Sequence, residues 1–166
     1  MTLSIIVAVA ENNVIGKDNR LIWRMPADMQ YFKEKTTGHC VITGRKNYES
    51  IPGKFRPLPG RTNIVVTRQE NYSAPGAMAV NTIEEAVALA RAKGETECFV
   101  IGGADIYRQT LESSDKIYLT VIHYNFEGDA FFPELDRTKW NEISRQDHPA
   151  DEKHKYAYSF MELVRR

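Results

Sequence analysis

The sequence predicts an α/β fold: a single domain, residues 1–166, with a mixed, mostly parallel β-sheet of about eight strands, an antiparallel C-terminal edge and four flanking helices. Short apolar runs alternate with helical patterns, and strands that alternate with helices form parallel sheets. The runs are almost continuously apolar, as in strands covered on both faces. Aromatic residues alternate over 156–161, which is typical of an antiparallel edge strand.

Each predicted element has a local signal in the sequence. The strands are expected at 3–10, 40–43, 62–67, 98–101 and 116–123, and Trp140 begins a further strand. The helices are expected over 27–36 after Pro26, from Gly44-Arg45, from the capping box Thr82-Ile83-Glu84-Glu85 to Gly94, and after Gly102-Gly103. The prolines of 52–61 exclude a helix or central strand, so this segment is an ordered loop.

Composition excludes several classes of protein. The chain has 166 residues, with 22 Lys+Arg against 22 Asp+Glu, so no electrostatic field attracts nucleic acid or an anionic membrane. Cys40 and Cys98 are too few for a disulfide scaffold or a zinc site, and no metal is expected. The apolar segment 3–10 has no preceding Lys or Arg, so we interpret it as a buried strand, and a cytoplasmic protein is expected.

Asp28 is the first candidate for chemistry. It borders the apolar stripe formed by Met25, Met29, Phe32 and Thr36 on the helix after Pro26. Desolvation raises the pKa of such a carboxyl group, which could then bind a protonated nitrogen heterocycle or help to deliver a proton. The alternative is a structural carboxylate that interacts with the helix dipole. The spacing leaves both interpretations open.

Three strand ends carry residues suited to an anionic ligand. A buried strand runs into Gly102-Gly103, another into Gly44-Arg45-Lys46, and Arg68 follows a third. Glycines allow close approach to the backbone, and basic residues at a helix start are unfavourable unless they face an anion. Tight turns and solvated arginines are the alternative. Because α/β sheets bind ligands at the carboxyl ends of their strands, one extended anionic ligand is favoured.

Together these segments resemble the dihydrofolate reductase family over essentially the whole chain. The resemblance rests on seven pieces in family order: Val14-Ile15-Gly16 with Leu21-Ile22-Trp23; Met25-Pro26-Ala27-Asp28-Met29 with Phe32-Lys33; Gly44-Arg45-Lys46; Glu49-Ser50-Ile51; Arg56-Pro57-Leu58-Pro59-Gly60-Arg61; Ile101-Gly102-Gly103-Ala104 with Ile106-Tyr107; and Glu127-Gly128-Asp129 with Phe132-Pro133. The reaction it implies is hydride transfer from NADPH to 7,8-dihydrofolate, giving tetrahydrofolate.

The resemblance also implies roles for individual residues. Catalytic roles fall to Asp28, Trp23, Thr120 and Tyr107. Substrate contacts fall to Ile6, Ala8, Asp28, Met29, Phe32, Ile51, Arg56, Leu58, Arg61, Ile101 and Thr120. NADPH contacts fall to Ala8, Ile15, Gly16, Asn19, Leu21, Gly44, Arg45, Lys46, Asn47, Val66, Thr67, Arg68, Asn81, Ile101, Gly102, Gly103, Ala104, Asp105, Ile106 and Tyr107.

Residues 10–24 resemble the mobile loop that closes over the nicotinamide, with Asp129 on the loop that steadies it. Ile22 stands where the family usually has Pro. The expected partners are dihydrofolate and antifolate inhibitors, without nucleic acid or membrane, and the expected state is a monomer. Two other functions remain open: that of the related reductase domain of riboflavin biosynthesis, which would not require Asp28 or Arg61, and that of a nucleotide-binding module without turnover.

Overall fold

The computed structural model describes all residues from Met1 to Arg166. An eight-stranded sheet runs through the molecule, and two short strands form a second sheet. The strands are β1 (Thr2–Ala10), β2 (Val14–Gly16), β3 (Cys40–Gly44), β4 (Thr62–Val66), β5 (Met78–Val80), β6 (Glu97–Gly102), β7 (Lys116–Ile122), β8 (Ala130–Phe131), β9 (Trp140–His148) and β10 (Tyr158–Arg165). The helices are α1 (Pro26–Thr36), α2 (Arg45–Ser50), α3 (Ile83–Ala92) and α4 (Ala104–Thr110).

The main sheet has the strand order β5-β4-β3-β6-β1-β7-β10-β9. Strand β1 lies parallel to both neighbours, with Ser4 beside Phe99 of β6 and beside Lys116 of β7. Strand β10 is antiparallel to β7 and β9. The mostly parallel sheet and its antiparallel C-terminal edge are therefore confirmed. The outermost strand is β9, however, whereas the segment 156–161 that the sequence predicted for the edge falls partly in β10, which is paired on both sides. The parallel strands β1, β3, β4 and β6 end at the same edge, which is where the glycine and arginine segments lie.

The core lies on the central strands. Ile5, Ile42, Ile64, Val100 and Ile117 are fully buried. Burying an aliphatic side chain of this size contributes about 1.5–3 kcal/mol relative to exposure. Both faces of these strands are covered, which explains why their sequences are continuously apolar rather than alternating.

Helix α3 shows how local signals set an element's start. The Thr82 hydroxyl oxygen accepts the N–H of Glu85 at 3.1 Å. The Glu85 carboxylate in turn accepts the N–H of Asn81 at 3.2 Å. These bonds satisfy donors that the first turn of a helix leaves free. None of the four helices is both long and apolar enough to cross a membrane.

The structure corrects three expectations. Met29 is 60% exposed instead of lying in a buried stripe, and α1 buries only Thr36 within its span. The strands β2, β5 and β8 were missed because they have only 3, 3 and 2 residues, too few to show a period. The loop 52–61 contains a single 3-10 turn over Gly53–Phe55.

Glu95 supports the edge of the sheet opposite to the strand ends that carry the candidate ligand site. Burial raises the pKa of this carboxyl, but hydrogen bonds from the N–H of Cys40 and from His39 more than offset it, so its pKa is lowered. Its stabilising contribution is therefore present above the unfolded pKa of about 4.3 and is lost as pH falls through the folded pKa.

Replacing Glu95 by Gln should lower the free energy of unfolding by about 1–3 kcal/mol at neutral pH, because the Cys40 N–H loses a charged acceptor. Urea unfolding at pH 7 and at pH 3 measures the effect, with the exposed Glu70→Gln as the matched control. The difference between the native chain and Glu95→Gln should shrink at the lower pH. An equal difference at both pH values would exclude the ionised carboxylate as its source.

Candidate active site

A groove of about 800 Å³ runs along the carboxyl ends of the parallel strands. Most residues that the family pattern assigns to NADPH line it: Ile15, Gly16, Asn19, Leu21, Gly44, Arg45, Lys46, Asn47, Val66, Thr67, Arg68, Asn81, Gly103, Ala104, Asp105 and Ile106. Ala8, Ile101, Gly102 and Tyr107 do not line this groove; they lie on β1, on β6 and on α4. The volume of the groove and the spread of its lining residues over several strand ends suit a dinucleotide.

Several residues of the groove were not predicted from the sequence. They are Arg20, Ser50, Gln69, Thr82, Ile83, Glu84, Gln109 and Ala130. For three of them a signal existed, because Thr82, Ile83 and Glu84 open the capped helix that follows β5, at the same edge of the sheet. The others lie within or near segments that the family pattern names, but no feature of the sequence singles them out as groove residues.

Glycines bring the backbone of three elements close together beside the groove. A Cβ atom at Gly44 would lie 3.0 Å from Cγ1 of Ile106. At Gly102, where φ is +112°, it would lie 3.1 Å from the ring of Tyr107. The peptide bond between Gly102 and Gly103 is cis. The phenol of Tyr107 donates to the carbonyl of Ile6 at 2.8 Å, which ties α4 to the central strand.

The basic end of the groove is organised by α2 and the turn after β4. Arg45 forms an ion pair with Glu49 at 2.8 Å, one turn along α2. The Thr67 hydroxyl oxygen accepts the N–H of Gln69 at 3.1 Å. The Asn81 side chain donates to the carbonyl of Thr67 at 2.8 Å. These bonds hold the turn that presents Arg68, and Arg45 and Arg68 both line the groove.

Asp28 lies in the first turn of α1, half-buried and close to Thr120 of β7. Burial raises the pKa of this carboxyl, and the Thr120 hydroxyl offsets part of the increase by hydrogen bonding. Burial, with a smaller effect from the charge of Asp28, also raises the pKa of Tyr107, so the phenol stays protonated. Trp23, which is 8% exposed, packs its ring 5.2 Å from that of Phe126.

An apolar patch lies beside Asp28. Ile6, Phe32, Leu58 and Ile101 pack around the buried residues Val41, Phe99 and Tyr118. Ile51 packs elsewhere, against the cluster of Tyr48, Val65 and Ala74. The exposed Met29 follows Asp28 directly and leaves an apolar side chain in solvent at this position. An aromatic ring could pack against this surface with its polar atoms at the carboxylate.

The two arginines of the loop 52–61 differ in their contacts. Arg56 donates to the carbonyl of Glu49 at 2.8 Å, at the end of α2. Arg61 donates to Thr36 at 3.2 Å and lies 5.9 Å from the ring centroid of Phe32. Desolvation lowers the pKa of Arg61, although its guanidinium stays charged at neutral pH. Arg61 also donates from Nε to the carbonyl of Pro59 at 2.9 Å. Arg61 therefore lies beside the apolar patch, whereas Arg56 reaches the end of α2.

The segment 14–22 forms one wall of the groove and is held by the loop before β8. Asp129 donates its N–H to the carbonyl of Gly16 at 3.1 Å. Its carboxylate accepts the N–H of Asp18 at 3.0 Å. Asn12 donates to the carbonyl of Phe126 at 2.8 Å. Phe126 in turn donates its N–H to the side-chain oxygen of Asn12 at 3.4 Å. The two loops that the family pattern couples are therefore joined by hydrogen bonds in both directions.

Known proteins are similar to this chain in both sequence and structure. The family model for dihydrofolate reductase matches residues 2–165. The dihydrofolate reductase of Bacillus subtilis is 43% identical over 96% of this chain and 92% of its own, and that of Haemophilus influenzae is 43% identical over 100% of both. The structure is similar to that of Enterococcus faecalis dihydrofolate reductase complexed with NADP(H) and RAB-propyl, with a TM-score of 0.91 and 37% identity over 99% and 96% of the two chains. These relatives favour dihydrofolate reduction over the riboflavin-type reductase and over a module without turnover. The chain therefore belongs to the dihydrofolate reductase family, and its reaction is the NADPH-dependent reduction of dihydrofolate to tetrahydrofolate.

Proposed function

We propose that Asp28 is the residue that binds the pterin ring and promotes its protonation. The observation that carries this proposal is a half-buried carboxyl group with a raised pKa between a buried hydroxyl and an apolar patch. Pterins carry an amino group and ring nitrogens next to a flat apolar surface, so the two kinds of contact match. Thr120 completes the polar side of the contact.

The chemistry requires a hydride at carbon and a proton at the adjacent imine nitrogen of dihydrofolate. NADPH supplies the hydride when it is bound. The carboxylate of Asp28 accepts hydrogen bonds from the pterin and favours the protonated imine electrostatically, while solvent provides the proton. Trp23 and the apolar patch exclude bulk water, which strengthens the interaction between the carboxylate and the cationic ring.

Arg61 is proposed to bind the α-carboxylate of the glutamate tail. Its guanidinium lies beside the apolar patch, within reach of Phe32, and a planar guanidinium binds a carboxylate in a bidentate manner. Phe32, Leu58 and Met29 are proposed to pack against the pterin and benzoyl rings. Arg56 is a weaker candidate than the family pattern implies, because its guanidinium lies at the end of α2 and not beside Phe32.

Arg45, Thr67 and Arg68 are proposed to bind the adenosine 2′-phosphate of NADPH. All three border the same end of the groove, and two of them bring positive charge. Gly44 and Gly103 leave room for the rest of the cofactor to approach the backbone. The ion pair of Arg45 with Glu49 fixes one guanidinium before the cofactor arrives.

Arg68→Ala should weaken NADPH binding by about tenfold or more and leave NADH binding nearly unchanged, because only NADPH carries the 2′-phosphate. Fluorescence titration with each cofactor measures this, and Arg137→Ala, which removes an equally exposed arginine away from the groove, is the matched control. Equal losses for both cofactors would place Arg68 elsewhere than at the 2′-phosphate.

The chain is further proposed to act as one domain, as a monomer in the cytoplasm, and to bind antifolates in the Asp28 cleft. One sheet joins residues 2 to 165, which supports a single unit. Both cysteines are free and buried, which suits a reducing compartment. The complex of the Enterococcus relative with RAB-propyl supports inhibitor binding. Size-exclusion chromatography with light scattering tests the monomer.

A further inference from the structure

Helix α1, which presents Asp28, has an unusual N-terminus. The residue before the helix is Met25, whose side chain makes no capping hydrogen bond. Pro26 has no N–H, and the N–H groups of Asp28 and Met29 donate to the carbonyl of Met25 at 3.0 and 3.1 Å. Within the helix, the N–H of Ala27 is the donor of the first turn that has no acceptor. A helix start that lacks a Ser, Thr, Asp or Asn cap must satisfy it from elsewhere.

The acceptor is His154, which comes from the loop between β9 and β10. Its Nε2 accepts the N–H of Ala27 at 3.0 Å. Because a backbone N–H can only donate, Nε2 must carry a lone pair, so the proton of the neutral ring lies on Nδ1. Nδ1 lies 2.8 Å from Oδ1 of Asp151 and donates to it. The carboxylate thereby fixes the tautomer that the helix requires.

The histidine is held firmly in this position. It is 5% exposed, and its ring centroid lies 4.9 Å from that of the buried Tyr158. Asp151 also accepts the N–H groups of Lys153 and His154, at 2.9 and 2.8 Å. The hydrogen bond from His154 is the largest of the interactions that lower the pKa of Asp151. The loop is therefore a small preorganised unit that offers one acceptor to α1.

The other large side chains that anchor helix α1 lie beyond its first turn: Tyr31 stacks on Phe160 with ring centroids 4.3 Å apart, and Phe32 packs in the apolar patch. Thr36, at its C-terminal end, is the residue that the helix itself buries, and Met29 projects into solvent. Burial destabilises the ionised form of Asp28, so the carboxylate would be stabilised by hydration if the first turn moved toward water. The bond from Ala27 to His154 acts on the residue adjacent to Asp28 and opposes this movement.

We propose that His154 is a positioning residue for the reaction: through the N–H of Ala27 it holds the first turn of α1 so that Asp28 faces Thr120 and the pterin. This inference rests on the proposed role of Asp28. It assigns to the β9–β10 loop, remote in sequence from α1, a direct effect on the reacting end of the substrate. The cofactor groove does not include this loop.

Two substitutions distinguish the hydrogen bond that His154 accepts from the volume that its side chain fills. His154→Leu fills the space but removes the acceptor, whereas His154→Gln places an amide oxygen near the position of Nε2. His154→Leu should lower the hydride-transfer rate at least about fivefold and raise KM for dihydrofolate, with Kd for NADPH changed less than about twofold. His154→Gln should recover most of the rate. His148→Leu is the matched control, because Nε2 of His148 is buried without a hydrogen-bond partner and its ring packs on Tyr158 and Phe160 of β10.

The decisive measurement is a double-mutant cycle with Asp28→Asn, made at a temperature at which thermal unfolding shows every variant to be folded. If His154 acts through Asp28, His154→Leu should cause little further loss in the Asp28→Asn background. An equal loss in both backgrounds, an equal loss of NADPH affinity, or His154→Gln as slow as His154→Leu would each overturn the positioning role. A native rate in Asp28→Asn itself would instead refute the proposed role of Asp28.

Discussion

Asp28→Asn should lower the rate of dihydrofolate reduction by at least about tenfold at neutral pH, because the carboxylate that favours the protonated imine is lost. The amide keeps the size of the side chain and a polar oxygen beside Thr120. Binding of NADPH should be nearly unchanged, since Asp28 does not line the cofactor groove. Steady-state NADPH oxidation and cofactor titration measure the two effects. An unchanged turnover would show that Asp28 is only a helix-start carboxylate.

The same substitution should stabilise the fold. Burial raises the pKa of Asp28 above its ordinary value. A raised pKa means that the group favours the folded state only below its unfolded pKa and that this contribution is lost as pH rises through the folded pKa. At neutral pH the ionised carboxylate is therefore a cost of function, and Asp28→Asn should have the higher Tm. At pH 3 the two proteins should melt at closely similar temperatures.

Gly128→Ala should also reduce activity strongly, by at least about tenfold in the rate of hydride transfer. An added Cβ would overlap Cγ1 of Val14 and lie 2.6 Å from the carbonyl oxygen of Gly16. The loop before β8 would have to separate from the segment 14–22, which forms one wall of the cofactor groove. A displacement of about 1 Å in a positioning element can cost two orders of magnitude in rate.

Stopped-flow measurement of hydride transfer in Gly128→Ala, with NADPH affinity alongside it, tests this expectation. Gly53→Ala is the matched control, because an added Cβ at Gly53 meets no atom within 4 Å. Gly53→Ala should behave as the native enzyme. Native rates in Gly128→Ala would mean that contact between the two loops has no part in closing the groove.

The parts of the fold that the sequence predicted are those with local causes. Pro26 and Thr82 each begin a helix because proline suits the first turn and a threonine hydroxyl caps it. The central strands were evident because full burial requires continuous apolar residues. The strands β2, β5 and β8 were not evident, because a strand of 2–3 residues forms only by pairing with a neighbouring strand in the folded chain.

The candidate site likewise contains residues with local sequence signals and residues that only tertiary packing places. Gly102-Gly103 and Arg68 could be selected from the sequence because each follows a buried strand. Spacing alone does not distinguish Asp28 from a structural carboxylate, whereas the family pattern does. The proximity of Asp28 to Thr120 depends on how α1 lies against β7. The hydrogen bond from Arg56 to the carbonyl of Glu49 could not be predicted either, because a backbone acceptor leaves no pattern in the sequence.

His154 was not selected by any pattern. Its partner, the N–H of Ala27, is backbone, and backbone groups leave no mark on sequence composition. Only the absence of a capping side chain at Met25 indicates that a partner must come from elsewhere.

The pH dependence of single-turnover hydride transfer in the native enzyme and in Asp28→Asn tests the central claim most directly. If Asp28 promotes protonation of the pterin, the variant must take the proton from solution without help, and its rate should fall about tenfold for each pH unit above the pKa of the free substrate nitrogen. The native rate should stay higher than that of the variant. It should be nearly constant with rising pH, until the carboxylate can no longer keep the substrate nitrogen protonated. Parallel profiles, with the same midpoint in both proteins, would contradict the assignment of Asp28.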